Sequence, residues 1–302
     1  MKRKLTLLTL VFVLVAALFA GCGGGGSGDD ERAIVVAGKV AAEPQIMTEV
    51  FAQLIEQKTD IQVERVMDLA SRIAFEATVQ GETHIYPGYT GTLLINYLEE
   101  EIEPGTTAAE IIRRAEEGIL REFDLVLLPH VGFQNNFGIA VAGEFARANG
   151  IVTLSNLAPF TPDLVFGGEH AFFDRPDGFY GMAELYGFNF RDTRMMDVGL
   201  KYQAFGQGHM DVFVIYTTDS HIPDHDIVIL EDDLSFFPIY YFHPVIRRDT
   251  LERFPEIGEA LAVLNGVLTE DDMIRYNHLV DSGQLNVREA AAQLIEEFGL
   301  LG

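Results

Sequence analysis

The sequence predicts an α/β protein. Short apolar segments alternate with segments whose apolar residues recur at helical spacing over most of the chain, and the last fifty residues or so are helical throughout. Strands that alternate with helices are typical of α/β folds with mainly parallel sheets. The 302 residues are also enough for two lobes with separate cores. No internal repeat is visible.

The elements follow in order along the chain. In the first helix, for example, Ile46, Val50 and Leu54 recur on one face, and Ser282 and Gly283 separate the last two helices. The predicted strands are 33–36, 61–66, 84–86, 123–128, 137–142, 164–167 and 212–216. The predicted helices are 43–58, 68–79, 92–101, 107–122, 144–149, 178–186, 193–207, 250–264, 269–281 and 287–299.

The N-terminus has the pattern of an export signal. Three basic residues precede an apolar run at 5–20 that is too short for an ordinary spanning helix, so residues 1–21 are predicted to be removed. Small residues before Cys22 indicate a bacterial lipoprotein signal, in which this cysteine is lipidated. A plain signal peptide with an unmodified cysteine is the alternative. Residues 22–31 are predicted to form a flexible glycine-rich tether.

The composition excludes some partners and chemistries. The chain after residue 21 loses three of 21 basic residues and none of 46 acidic ones, which leaves a net charge of −28. Nucleic acid is therefore not expected as a partner. Cys22 is the only cysteine, so no internal disulfide forms. The scattered acidic residues and scarce lysines are interpreted as adaptation to a saline medium, where salt screens like charges.

Two acidic groups could be mistaken for metal sites. His221 and His225 are four residues apart, but Pro223 disfavours the helix that this ligand spacing requires. The acidic run at 231–233 lacks the spacing and the glycine of a calcium loop. No nucleophile elbow or zinc motif is visible. We therefore expect no metal, no cofactor and no enzymatic activity.

Two segments carry a family resemblance. The segments are IYPGYTGT at 85–92 and VFVIYTTDSHIPDHDIVILEDDLSFFPIYYFHP at 212–244. They resemble the substrate-binding proteins of osmoprotectant ABC importers, which capture glycine betaine, carnitine, choline and related solutes outside the cytoplasmic membrane. The resemblance implies a two-lobe periplasmic-binding-protein fold of type II with the ligand cleft between the lobes. It places lobe 1 at 32–134 plus 237–302 and lobe 2 at 135–236, and it implies an ABC permease with its ATPase as partner.

A quaternary ammonium ligand needs aromatic partners. The group cannot donate a strong hydrogen bond, whereas each aromatic ring offers it a negative face. The resemblance assigns cage roles to Tyr89, Tyr216 and Tyr240, and to Phe137 where many members have a tyrosine. Strand ends are a common place for ligands in α/β lobes. Tyr86 and Tyr241 are expected to pack instead, and packing is also the alternative for each cage ring.

The ligand's carboxylate requires cationic or multiple donors. The resemblance assigns this role to Lys39, Thr92 and Arg175, which favours betaines over choline because choline has no carboxylate. A surface ion pair for Lys39 and a stiffened turn for Arg175 are the alternatives. Gly88 and Ala41 depart from the family pattern, which commonly has glutamate and phenylalanine there.

The sequence therefore predicts an extracytoplasmic, lipid-anchored binding protein that closes over a betaine. The same fold could instead bind choline, carnitine or ergothioneine. An extracytoplasmic enzyme acting on a small amine and a sensory or adhesive lipoprotein are alternatives of other classes.

Overall fold

The computed structural model describes residues 32–175 and 177–302. The predicted export signal, the lipidation site Cys22 and the tether lie outside these residues. Ten strands are described: β1 (Ala33–Lys39), β2 (Gln62–Leu69), β3 (Ile85–Tyr89), β4 (Leu125–Leu127), β5 (Phe137–Ala142), β6 (Val165–Glu169), β7 (Asp192–Met196), β8 (Val212–Tyr216), β9 (Ile227–Leu230) and β10 (Phe242–Arg247).

The strands form two five-stranded sheets. The first has the order β2-β1-β3-β10-β4 and the second the order β7-β6-β8-β5-β9. Both sheets are mixed, because β10 runs antiparallel to β3 and β4, and β5 runs antiparallel to β8 and β9. Among the described strands, four of the five in each sheet run in the same direction, as expected, and one strand in each, β10 or β5, runs in the opposite direction. Sequence patterning identifies buried strands but does not reveal the direction in which a later strand returns to a sheet.

Helices cover both sheets. The α-helices are α1 (Ala42–Lys58), α2 (Ser71–Gln80), α3 (Thr90–Thr92), α4 (Ala108–Phe123), α5 (Gly143–Asn149), α6 (Leu154–Leu157), α7 (His170–Asp174), α8 (Phe179–Tyr186), α9 (Lys201–Gly206), α10 (Arg248–Arg253), α11 (Glu256–Leu261), α12 (Glu270–Asp281) and α13 (Val287–Glu297). A π-helical turn, Leu93–Tyr97, continues α3. Short 3₁₀ segments are Ala158–Asp163, Val198–Leu200, Ile222–Asp224 and Ala262–Leu264.

Several predicted elements require correction. The helix predicted at 193–207 begins instead as β7, an exposed edge strand whose side chains show no apolar alternation, so only its pairing with β6 identifies it. The helix predicted at 92–101 is replaced by α3 and the π-helical turn. Pro255 divides the helix predicted at 250–264, because proline donates no backbone hydrogen bond. The sequence did not predict β9 and β10.

Each sheet has its own core. In the first, α1 is the central helix: twelve of its residues are buried, and it packs against β1, β2 and the C-terminal helices. In the second, aromatic residues dominate one face, with Phe166 packed among Phe172, Phe173 and Phe179. The chain passes from the first sheet to the second between β4 and β5 and returns between β9 and β10. The lobe boundaries at 134/135 and 236/237 stay predictions.

None of the helices in 32–175 and 177–302 is long and apolar enough to cross a membrane.

Candidate ligand-binding site

The predicted ligand contacts lie at strand ends. Lys39, Tyr89 and Tyr216 are the last residues of β1, β3 and β8. Phe137 begins β5 and is paired in register with Tyr216, because β5 and β8 are antiparallel. Tyr240 lies just before β10, whose Phe242 is paired in register with Tyr89. The strand connections thus bring residues that are far apart in sequence to the carboxyl ends of the parallel strands, where open α/β folds bind ligands.

A cation already lies on the face of one predicted cage ring. The Lys39 ammonium is 4.4 Å from the centroid of the Tyr89 ring, which is the arrangement of a cation–π contact. The Tyr89 hydroxyl donates a 2.5 Å hydrogen bond to Glu43 Oε1. Burial, partly offset by the nearby Glu43 carboxylate, lowers the pKa of Lys39 to about 7. Whether Lys39 is charged therefore depends on the groups around its side chain.

Glu43 connects this corner to the rest of the cleft. Its carboxylate is buried and accepts hydrogen bonds from the side chains of Asn135 at 2.8 Å and Asn277 at 3.3 Å, besides that of Tyr89. Asn277 lies on α12 and also donates to the backbone oxygen of Thr218, which follows β8 of the second sheet. Glu43 therefore links β3, α12 and the segment before β5.

The second predicted cation, Arg175, is paired within the protein. Its Nε and Nη2 donate to the two carboxylate oxygens of Asp177, both at 2.7 Å, and Nη2 also lies 2.6 Å from the Tyr240 hydroxyl. The Tyr240 hydroxyl donates in turn to Asp177 at 2.6 Å. The Arg175 guanidinium also lies 5.5 Å from the centroid of the Phe137 ring. In this state a protein carboxylate occupies part of the donor fork that a ligand carboxylate would use.

Phe137 and Tyr216 form a ring pair. Their centroids are 5.3 Å apart with planes inclined by 31°, and Phe137 also contacts Phe172 and Phe237. Phe137 is buried, whereas Tyr216 is half-buried. Burial and the Glu169 carboxylate beside its hydroxyl raise the pKa of Tyr216, so the phenol stays neutral. This pair offers an apolar, aromatic wall on the second sheet.

The segment with Thr92 lies under Tyr240. The ring of Tyr240 covers Gly91, since a Cβ placed on that glycine would lie 2.6 Å from two ring carbons. Thr90 accepts a hydrogen bond from the Tyr241 backbone and donates one to the Ile239 backbone. Thr92 itself is half-buried.

Known proteins identify the family. The model of the substrate-binding domain of ABC-type glycine betaine transport systems, OpuAC, matches residues 32–297. The chain belongs to this OpuAC family. It is 31% identical over 303 residues to the glycine-betaine-binding protein of Pseudomonas aeruginosa, covering 95% of this chain and 96% of that protein. It is also 30% identical over 273 residues to an ergothioneine transport permease/ergothioneine binding protein of Helicobacter pylori. That match covers 90% of this chain but 48% of the relative.

Solved structures agree with the family assignment. A crystal structure described as a glycine betaine/carnitine/choline ABC transporter has 28% sequence identity and a TM-score of 0.83, covering 89% of this chain and all of that one. The predicted α/β, two-lobe type II fold of the OpuAC family is thereby confirmed.

Sequence reasoning missed the partners of the two cations. Glu43 lies four residues after Lys39 in AGKVAAEPQ, Asp177 two residues after Arg175 in RPDG, and Asn135 in QNNF, two residues before Phe137. Glu43 and Asp177 are close in sequence to Lys39 and Arg175, so the sequence alone could have predicted them as partners of these cations. Asn277 is different, because it reaches the cleft only through the packing of α12 and no motif points to it.

The two departures from the OpuAC pattern have structural contexts. A Cβ at Gly88 would lie 2.5 Å from Val245 and 3.5 Å from the Tyr86 hydroxyl, so this position faces the core. Ala41 has φ of 102° directly before α1, a conformation that residues with a side chain rarely adopt. Tyr86 is buried in the core, and the Tyr241 ring centroid lies 4.6 Å from that of His130 with the ring planes inclined by 37°.

The acidic groups set aside above lie in loops. His221 pairs with Asp224 at 3.5 Å in a short 3₁₀ segment. No cluster of three or more metal-ligating side chains is present in the part of the chain that the structure describes.

Proposed function

We propose that this chain is the extracytoplasmic, lipid-anchored binding protein of an ABC importer, and that it captures glycine betaine or a related quaternary ammonium solute. The family membership supports a transport role. The export signal and Cys22 support secretion and anchoring. A permease and, through it, an ATPase are the implied protein partners, and no chemistry on the ligand is required.

The proposed ligand class, a quaternary ammonium solute, rests on one observation: two cations of the protein lie on or near the faces of the proposed cage rings. The Lys39 ammonium lies on Tyr89 and the Arg175 guanidinium lies near Phe137. Rings that hold cations in the absence of a ligand are suited to hold a ligand cation. In the proposed complex the quaternary ammonium contacts Tyr89, Phe137, Tyr216 and Tyr240.

When the ligand's ammonium takes their places beside the rings, Lys39 and Arg175 would bind the ligand's carboxylate. Lys39 and Arg175 provide the charge and Thr92 a hydroxyl donor. Asp177 competes for Arg175, so a ligand carboxylate must share or displace that pair. Choline leaves both cations without a ligand anion, which favours betaines.

The relatives supply the second candidate. One relative is named for ergothioneine and one solved structure for glycine betaine, carnitine and choline. All these ligands share the trimethylammonium group, so the same cage would accept them. Displacement of bound glycine betaine by each of the others, measured by calorimetry, ranks the candidates.

Isothermal titration calorimetry of the purified protein tests the cage, because the chain has no tryptophan for a fluorescence assay. The native protein is expected to bind a betaine with micromolar affinity and choline more weakly. Tyr216→Ala is expected to weaken betaine binding about tenfold or more, since a desolvated cation–π contact contributes up to about 2 kcal/mol.

Tyr180→Ala is the matched control, because Tyr180 is an exposed tyrosine of the same sheet's helices. It should leave the affinity unchanged. Equal affinity of Tyr216→Ala and the native protein would refute the cage. Consumption of the ligand during incubation would instead indicate an enzyme.

A further inference from the structure

Glu169 is a buried carboxylate. It is the last residue of β6, next to β8 in the second sheet, and only 7% of its surface is exposed. Its neighbouring donor is the Tyr216 hydroxyl, but within the described chain neither carboxylate oxygen makes a hydrogen bond of good geometry. Because an unsatisfied buried acceptor is costly, and more so when charged, such a group indicates a missing donor.

The neighbouring lysine is paired with a different carboxylate. Lys201 is 1% exposed, and its ammonium lies 3.2 Å from Asp219 and 5.2 Å from the centroid of the Tyr216 ring. Lys201 and Asp219 therefore compensate each other. The hydroxyl of Tyr202 is buried and also lacks a hydrogen-bond partner among the described residues.

Glu169 borders the proposed cleft through Tyr216. Its carboxylate lies beside the Tyr216 hydroxyl, and the field of Arg175 also reaches that hydroxyl. Glu169 thus faces the edge of a cage ring, whereas a ligand ammonium would occupy a ring face. A trimethylammonium group cannot satisfy the carboxylate, because it has no hydrogen to donate in a strong hydrogen bond.

We propose that Glu169 accepts a hydrogen bond from a hydroxyl or N–H group of the ligand, in a polar subsite beside the cage. This inference rests on the proposed function and narrows it. The favoured ligands are betaines that carry a donor, either a hydroxyl on the chain between the ammonium and the carboxylate or an N–H on a side-chain ring. Glycine betaine carries none, so it would leave the subsite to water.

Two matched ligands test the proposal. Carnitine and 4-trimethylammoniobutanoate differ by one hydroxyl, and ergothioneine supplies an N–H donor. Calorimetry of the native protein is expected to show tighter binding of carnitine than of 4-trimethylammoniobutanoate. Glu169→Gln and Glu169→Asp should each weaken carnitine and ergothioneine about tenfold or more, as expected for loss of a hydrogen bond to a charged group. Binding of 4-trimethylammoniobutanoate and glycine betaine should change less than about threefold.

Glu184→Gln is the control, since Glu184 is an exposed glutamate on α8 of the same lobe. Glu169→Asp keeps the charge and moves the carboxylate. If circular dichroism shows that Glu169→Gln does not fold, Glu169→Asp alone provides the test. Equal weakening of ligands with and without a donor would overturn the subsite, and so would unchanged binding of the donor ligands. If both the donor ligands and glycine betaine bind the variants as tightly as the native protein, the subsite is overturned but the proposed function is not. Absence of binding by the native protein would refute both.

Discussion

At the scale of single residues, two lysines are buried beside tyrosine rings. Lys39, Lys58 and Lys201 are the only lysines after the predicted export signal, and two of them are at most 7% exposed. Both lie against tyrosine rings, Lys39 on Tyr89 and Lys201 near Tyr216. In a chain with so few lysines, burial of two beside tyrosine rings that the sequence predicts to contact the ligand is consistent with the predicted site.

Lys39 makes a pH prediction possible. Burial lowers its pKa to about 7 in the ligand-free protein, and a bound carboxylate would raise that pKa again. Between pH 7 and the bound-state pKa, binding should take up nearly one proton, and affinity should fall up to about tenfold per pH unit as pH rises. Below pH 7 the affinity should be independent of this group. Calorimetry at pH 8.5 in buffers with different ionisation enthalpies measures the uptake.

Lys39→Met should abolish the proton uptake, and Lys58→Met, at a half-buried position at the end of α1, should keep it. Proton uptake that persists in Lys39→Met would contradict the assignment.

The lowered pKa of Lys39 also makes the stability of the folded protein depend on pH, with a defined sign. The unfolded chain binds the proton more tightly, so the contribution of Lys39 to stability is full above about pH 10.4 and is lost as pH falls through 7.

At the scale of elements, the return of β10 to the first sheet places Tyr240. The strand pairs with β3, and the residues just before it cross over α3. Tyr240 can cover this helix because Gly91 has no side chain. The Tyr240 backbone N–H also donates to Asn136 at 2.8 Å, which ties the ring to the segment before β5.

Gly91→Ala should therefore displace a cage ring. The added methyl group would overlap the Tyr240 ring, and we expect affinity to fall about tenfold, because one cation–π contact is lost. The free energy of unfolding should fall by about 1–3 kcal/mol, as for overpacking in a core. Calorimetry and urea unfolding measure the two effects.

Gly206→Ala, in α9, is the control, since nothing lies within 4 Å of a Cβ there. It should leave affinity unchanged. Native affinity in Gly91→Ala would show that Tyr240 does not contribute to the cage.

At the scale of the whole molecule, charge repulsion at the surface opposes the hydrogen bonds that connect the two sheets. Acidic residues outnumber basic ones by 25 in the full chain, so the surface repels itself. Hydrogen bonds meanwhile connect elements of the two sheets around the cleft: Asn277 reaches the Thr218 backbone, and His278 lies 3.0 Å from the Ser220 backbone oxygen. Both contacts join α12, which packs on the first sheet, to the loop after β8.

Salt should stabilise this protein. Raising NaCl from 0.1 to 1 M shortens the screening length from about 10 to about 3 Å, which weakens the repulsion among carboxylates. We expect the melting temperature to rise by several degrees, at about 2–4 °C per kcal/mol. Differential scanning calorimetry measures it.

A variant with Glu184→Lys and Glu252→Lys, both exposed positions, should show a smaller salt effect. An equal rise in the variant and the native protein would attribute the effect to general exclusion of salt from the surface rather than to repulsion.

The sequence by itself determined the α/β class and most helices. Hydrophobic periodicity and β-branched runs are local signals, so they identify α1, α12 and the buried strands β5 and β8 close to their observed bounds. The motif segments place the predicted cage residues at or next to strand ends. The ligand contacts assigned to them stay predictions.

Only the tertiary structure decided the direction of strands and the partners of charged groups. β7 is recognisable by its ladder with β6 alone, and β10 by its antiparallel return to β3. Likewise, Glu43 meets Asn277 across 234 residues of sequence, and Glu169 is left unsatisfied only after β6 and β8 align. These outcomes depend on contacts between distant segments, and local sequence patterns do not encode the register or orientation of such contacts.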